Sequence, residues 1–486
     1  MEPVLNDETA RAFTTLVDWA VGQSYADIAP HALRRMALII ADDLAAMVSA
    51  QHEPEVARAH ARLLERAGPA SAAGGAGVAS LMREARPRLA VADAALGNAL
   101  AASWNELDEG YRKAVCHAGL YTLPTLLAIA EGERLSTADT LRAGVLAYEI
   151  TARFASAWQF PVLKLHPHAL FNVVGVVAAI GLARRLPAPL LAAALSSAAT
   201  LGAVGPFNQA VKGALIRNAW AAAGIANGFQ AIEWAELGIS GLPGTPNDVY
   251  AVALGATPDA QALTRGLGTD WAVASGYHKV NACCQYAHSA IEATQRLLAD
   301  APALKGGDGI EAIVVETHRL GIGLDNFAPA TSLGAKFSMP HAVAATLVHG
   351  DGGPASFDTA SIADARIAAL RARIELRPFL PERPWPEDRP ARIRVRMRDG
   401  REHLAECPSA QGGPDRPFEE STLWAKIASL AGTTMPGLAP DMAALHRSCE
   451  GEPPPLADPW LARVDRFFAP AGATASGAAE PARATR

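Results

Sequence analysis

Lys279-Val280-Asn281-Ala282-Cys283-Cys284-Gln285-Tyr286-Ala287-His288 places a lysine, two cysteines and a histidine within ten residues. Groups of this kind bind metal, bind anions or move protons. Structural zinc takes four ligands, usually paired as Cys-x2-4-Cys and His-x3-5-His. Adjacent Cys283 and Cys284 point differently, and the Cys284/His288 spacing has no second ligand pair nearby. The spacing therefore predicts no metal site. Cys283 reads as a small buried side chain with His288 packing a turn later, while Lys279 is the group best suited to hold an anion.

Three further clusters carry compatible chemistry. Trp104 to Gly119 contains Glu106, Asp108 and Glu109, a turn at Gly110 and then His117, which opens the next helical run. A carboxylate beside a histidine fixes its tautomer and raises its basicity, as a general base requires. Lys164-Leu165-His166-Pro167-His168 precedes the apolar run Ala169 to Ala183, so both histidines stand at a helix start, where an anion is favoured. Lys212 and Arg217 are the only charges between Leu186 and Ile232, and a cation in such apolar sequence is a candidate carboxylate binder. No Gly-rich nucleotide loop, Walker motif or Gly-x-Ser-x-Gly elbow accompanies them. Cations, histidines and carboxylates together suit proton abstraction next to a carboxylate, with the cations countering the charge that develops.

The elements that must position these groups are mostly helical. Residues 8 to 66 read as three amphipathic helices, Gly68 to Ala79 as a Gly/Ala/Ser-rich surface loop, and Val91 to Ala262 as helices broken at prolines and at Gly241-Leu242-Pro243-Gly244. Strand signals begin at Ile310 to Thr317 and recur at Ile374 to Arg377. Arg392 to Arg398 alternates perfectly and runs into Asp399-Gly400, a hairpin signal. Helical pattern returns over Ser421 to Leu430 and Trp460 to Phe468, and Pro470 to Arg486 reads as a disordered tail. The predicted fold is mainly α with an α+β insertion. Its parts are a helical domain over 1–270, an α+β domain over 271–417, a helical return over 418–468 and a tail over 469–486.

Composition narrows the function classes. Of 486 residues, half are hydrophobic but only 6% are aromatic, so alanine, leucine, valine and glycine build the core. The net charge of −6 argues against nucleic acid as a main partner, and no aromatics interleave the arginines of 392 to 398 as base-stacking platforms. Leu186 to Val211 has no charge for 26 residues, but its prolines, glycines and serines predict a buried core helix rather than a membrane span. Five cysteines in no framework spacing, and an acidic N-terminus without an apolar core, predict a reduced cytoplasmic protein.

The clusters, in this order, resemble the MmgE/PrpD family of 2-methylcitrate dehydratase, cis-aconitate decarboxylase and iminodisuccinate epimerase. Ala94 to Ala99 with Glu106 to Glu109 looks like its Asn-Gly-Ala and acidic motif, and His166-Pro167 like its His-Pro-Thr. Lys279 to His288 is similar to its Lys-Pro-Tyr-Pro-Cys-Cys…His segment. Ala335-Lys336-Phe337-Ser338-Met339-Pro340 is similar to its Ala-Lys-Phe-Ser-Leu-Pro-Tyr signature. The resemblance implies a helical domain built from both chain ends, an α+β lid, a homodimer and no cofactor. It implies His117 and His166 as active-site histidines, Glu106 and Asp108 as the acidic motif, and Lys279 as a substrate-binding lysine. Arg217 falls where the family often has a catalytic lysine, with Lys212 the poorer match, and His168 and Cys284 fall in substrate space. The implied activity is that of a lyase on a small di- or tricarboxylate, most simply a dehydratase. Epimerisation, decarboxylation and a degenerate non-enzymatic dimer are the alternatives. Four positions depart from the family pattern: Gly110 stands for threonine, His168 for threonine, His341 for tyrosine, and Cys284 for the histidine of the decarboxylase branch.

Overall fold

The computed structural model describes residues 2–72, 78–449 and 457–469. Helices lead the chain, among them α1 (Glu2–Gly22), α2 (Pro30–Ser49), α3 (Pro54–Ala72), α4 (Val91–Trp104), α5 (Ala118–Gly132), α6 (Thr137–Ala157), α7 (Pro167–Leu170), α8 (Asn172–Ala183), α9 (Ala188–Thr200) and α10 (Ile216–Glu236). The first three match the amphipathic readings. α3 runs past Gly68, which leaves the helical conformation locally, so the loop expected from there starts later; residues 73–77 lie outside the described residues.

Helices α5, α8 and α10 pack as a layered core, and small residues set their spacing. A side chain at Gly175 would meet the Cβ of Tyr121 at 2.5 Å, and one at Gly228 would meet Val176 at 2.3 Å. These contacts let the backbones approach closely enough to bury nearly all of α5 and α8. Close packing has a functional consequence. α5 starts just after His117, α7 just after His166, and α10 just before Arg217, so three predicted site residues sit at helix starts of one packed unit.

The run Leu186 to Val211 is not one helix. α9 ends at Thr200, and the chain turns before a single helical turn at Asn208–Val211. Among the described residues no helix is long and apolar enough to cross a membrane.

A second buried core gathers residues 282 to 407. It contains α11 (His288–Asp300), α12 (Met339–His349) and α13 (Ala365–Arg371), with β1 (Ile310–Thr317), β2 (Ile374–Pro378), β3 (Ala391–Met397) and β4 (Glu402–Cys407). The sheet order is β4-β3-β1-β2, with β1 parallel to β2 and antiparallel to β3. On β3, Ile393 and Val395 are fully buried while the arginines alternate outward. Arg392 pairs with Glu316 and Glu406, Arg394 with Glu402 and Arg396 with Glu311. Cross-strand carboxylates thus pair with the three arginines of β3.

The helical return, α14 (Glu420–Ala431), α15 (Leu438–Ser448) and α16 (Trp460–Phe467), joins the first core, with α14 and α15 packed on α2. The helical body is therefore built from both chain ends. The expected tail, 470–486, lies outside the described residues.

Candidate active site

Four segments converge between the two cores. The acidic motif leaves the end of α4, and Glu106 adopts φ +54°, a left-handed conformation costly for a side-chain-bearing residue. The segment pairs with the lysine segment through a short ladder, Gly110 opposite Tyr277 and Tyr111 opposite Gly276. Gly110 accounts for one departure. A Cβ there would lie 2.3 Å from the Tyr277 ring, so the Tyr277 ring fills the space a threonine side chain would need.

At the centre, His117 Nδ1 lies 2.6 Å from Asp108 Oδ2. Lys279 Nζ donates to Asp108 Oδ1 at 3.3 Å and stands 3.6 Å from Glu106 Oε2. Arg217 donates from Nη1 to Glu106 and from Nε to His166 Nε2 at 3.2 Å, and its guanidinium lies 4.8 Å from the Phe337 ring centroid. Burial alone would raise the Asp108 and Glu106 carboxyls. Lys279 and His117 hold Asp108 well below its usual value, and Arg217 and Lys279 lower Glu106. Burial would likewise strip Lys279 of its proton, but Asp108 and Glu106 raise it and keep the ammonium charged.

The histidines divide the work. His117 Nε2 has no hydrogen-bond partner among the described residues, and the residue lines the cavity. His166 also lines it, with Nε2 3.2 Å from Arg217 Nε and Nδ1 3.2 Å from the His168 backbone nitrogen; a neutral ring accepts at one of these nitrogens and carries its proton on the other, so neither is open to the cavity. Burial and Arg217 push His166 well below the ordinary histidine range, so it is neutral. His168 lies behind both, its ring 4.8 Å from His117 and 4.5 Å from His166, with Nδ1 2.7 Å from the Tyr121 hydroxyl. It braces the other two rings and does not line the cavity.

The cavity, of ≈ 40 Å³, is lined by Glu106, His117, His166, Arg217, Lys279 and Cys284, and closed by Phe207, Tyr277, Tyr286, Phe337 and Arg389. This is below the ≈ 300–1,000 Å³ of ordinary ligand pockets. A chamber of ≈ 460 Å³ shares Ala114, Val115, Pro167 and Arg389 with it. Cys284 lines the cavity as a thiol, raised to about 11 by burial, whereas fully buried Cys283 packs into the core. His288 turns its Nε2 to the Cys283 carbonyl at 3.2 Å. Among the described residues no three His, Cys, Asp or Glu side chains gather as metal ligands.

Lys212 stands apart from these groups. It is exposed and lines a separate groove with Lys164 and Arg319, at the end of the short turn before Gly213, whereas Arg217 lies inside α10. His341 is buried against Ser356 and Arg371, away from the cavity.

Several contributors escaped the sequence reading. Lys336 Nζ donates to Trp104 O at 2.9 Å and Asn105 Oδ1 at 3.0 Å, fastening the second core to the end of α4, and Phe337 places its ring under Arg217. Asp42 binds His278 and Lys426, both at 2.6 Å, and Asp43 accepts the Glu109 N–H at 3.1 Å. Their signal was two adjacent acids inside the buried run of α2. Tyr286 and Arg389 offered none beyond their type.

The MmgE/PrpD N-terminal domain model matches residues 14–258, and the MmgE/PrpD C-terminal domain model matches residues 282–444. No curated protein matches the chain. With both models accounting for most of its length, the chain belongs to the MmgE/PrpD family, a dehydratase- and lyase-like family of enzymes.

Proposed function

We propose that the protein is a hydro-lyase that removes water from a small di- or tricarboxylate of the 2-methylcitrate kind. The observation that carries this is the His117–Asp108 pair, whose free Nε2 faces a cavity held by Lys279 and Arg217. A C–H bond next to a carboxylate is weakly acidic because its loss adds charge to a group already negative. Lys279 and Arg217 are placed to counter that charge. His117 Nε2 takes the proton, the C–H electron pair becomes the new C=C bond, and the C–O bond to the neighbouring hydroxyl breaks. The imidazolium, stabilised by Asp108, returns the proton to the departing hydroxide, which leaves as water.

Among the histidines that line the cavity, His117 alone has a ring nitrogen without a partner in the described residues, which supports a one-base elimination over a two-base epimerisation; Arg217 faces Nε2 of His166. The test is turnover of 2-methylcitrate, citrate and the aconitate isomers by wild type and His117→Ala. A loss of about 10²–10⁴-fold is expected. Equal turnover by both would remove His117 from the mechanism, and deuterium uptake from solvent without net product would point to epimerisation instead.

A further inference from the structure

The two walls of the cavity are unlike in how their polar groups are answered. On the helical side, Arg217 meets Glu106, Lys279 meets Asp108 and Glu106, and His117 meets Asp108. On the opposite wall, two lining residues carry buried donors with no hydrogen-bond partner among the described residues: the Tyr286 hydroxyl and Arg389 Nε. Tyr286 is 6% and Arg389 7% exposed, and the Arg389 guanidinium sits 5.0 Å from the Tyr286 ring centroid, so the two belong to one patch. A buried donor left unpaired is costly, more so when charged, and native proteins keep few of them. Two in one cavity wall mark a place where a ligand supplies the acceptor.

Charge identifies the ligand. Arg112 grips Asp388 with two bonds, Nη2 to Oδ1 at 2.6 Å and Nη1 to Oδ2 at 3.3 Å. Arg389 Nε stands 3.7 Å from the same Asp388 Oδ2, beyond hydrogen-bond reach, and its Nη1 donates to the neutral Gln285 side chain. In direct contact, therefore, two guanidiniums share one carboxylate; Asp415 acts on Arg112 from farther off, and Arg389 has no carboxylate within hydrogen-bond reach among the described residues. On the helical wall, by contrast, each cation already has a carboxylate in contact, Glu106 and Asp108 lying against Arg217 and Lys279. A phenol hydroxyl beside a guanidinium with no carboxylate in hydrogen-bond contact is a site for an anionic oxygen pair.

We propose that Tyr286 and Arg389 form a second carboxylate subsite, which takes the carboxylate remote from the reacting carbon. This rests on the carboxylate reading of the cavity given above and deepens it. The substrate must carry at least two carboxylates, one toward Lys279 and Arg217 and one toward Tyr286 and Arg389. A monocarboxylate would leave the second wall unanswered.

The subsite is tested by calorimetric titration of the full chain with succinate and with butyrate, two four-carbon probes that differ by one carboxylate. Wild type should prefer succinate. Tyr286→Phe should weaken succinate about tenfold and change butyrate less than about twofold. Because that hydroxyl has no protein partner to lose, Tyr286→Phe should leave the melting temperature of the free protein unlowered, which a merely structural tyrosine would not. Arg389→Lys keeps a charge but loses the fork, and should fall between the two. If Tyr286→Phe and Arg389→Lys keep the wild-type preference, the subsite is wrong and the catalytic reading stands. If wild type binds neither probe, both fall together.

Discussion

Four carboxylates share one burial and divide into two opposite states. Glu106 and Asp108 are 2% and 0% exposed; Asp43 and Glu109 are 0%. The first pair touches Arg217, Lys279 and His117 and is held ionised. Among the described residues the second pair has no such cation in contact. Nearby Arg35 donates instead to the Gly276 carbonyl, burial pushes Asp43 well above the carboxylate range, and burial raises Glu109 to about 8. Glu109 then serves as a structural hinge point, accepting the Gly119 N–H at 2.8 Å and the Tyr148 hydroxyl at 3.0 Å. Burial sets the stakes and cations decide the charge state. One motif thus supplies an ionised site and a largely neutral brace.

The largest effect should come from neutralising the working pair. Asp108→Asn keeps the shape but replaces the carboxylate that fixes His117 and would stabilise its imidazolium. A fall in kcat of about 10³–10⁴-fold is expected, with KM changed far less. A fall below tenfold would mean that Asp108 serves the fold alone. Next is Lys279→Met, which puts the ionised pair in the condition of the neutral one. With a cation removed from two buried carboxylates, about 3–5 kcal/mol of stability should be lost near neutral pH, measured by denaturant unfolding. The loss should shrink in acid as Asp108 and Glu106 take up protons. A pH-independent loss would show that packing of the lysine stem, not charge, was removed.

This division was only half legible in the sequence. Glu106, Asp108 and His117 lie within twelve residues, so their meeting is a local consequence of one turn, and the strand at 392–398 carries its own alternation. Contacts across long separations were not legible. Nothing local distinguishes Glu109 from Asp108, because their difference rests on Lys279, 171 residues from Asp108, against Asp43 on α2. Lys212 and Arg217 look equivalent as lone cations. One residue in left-handed backbone between them, Gly213 at φ +77°, lies where the chain leaves the short turn holding Lys212 and enters α10 with Arg217. Tyr286 is unremarkable within Lys279 to His288, since an unpaired hydroxyl has no sequence signature.

The smallest effect, and the finest test of the comparison, is the pH dependence of the brace. Glu109 stays protonated in the folded chain up to about pH 8, whereas in the unfolded chain it ionises above its ordinary 4.5. Between those values the folded state holds the extra proton, so stability present below pH 4.5 is lost as pH rises through about 8. Glu109→Gln keeps an oxygen for the Gly119 N–H and offers its amide to the Tyr148 hydroxyl, but cannot ionise. Its melting temperature should be close to wild type near pH 5 and exceed it at pH 8, by an amount corresponding to about 3–4 kcal/mol. The Asp108→Asn protein should show the opposite trend relative to wild type. Asp108 is held ionised, so its contribution is present above its ordinary 3.8 and is lost only as pH falls further, into acid. Parallel melting curves for wild type and Glu109→Gln across pH 5 to 8 would mean that Glu109 is already ionised at neutral pH, and the contrast between the two pairs would collapse.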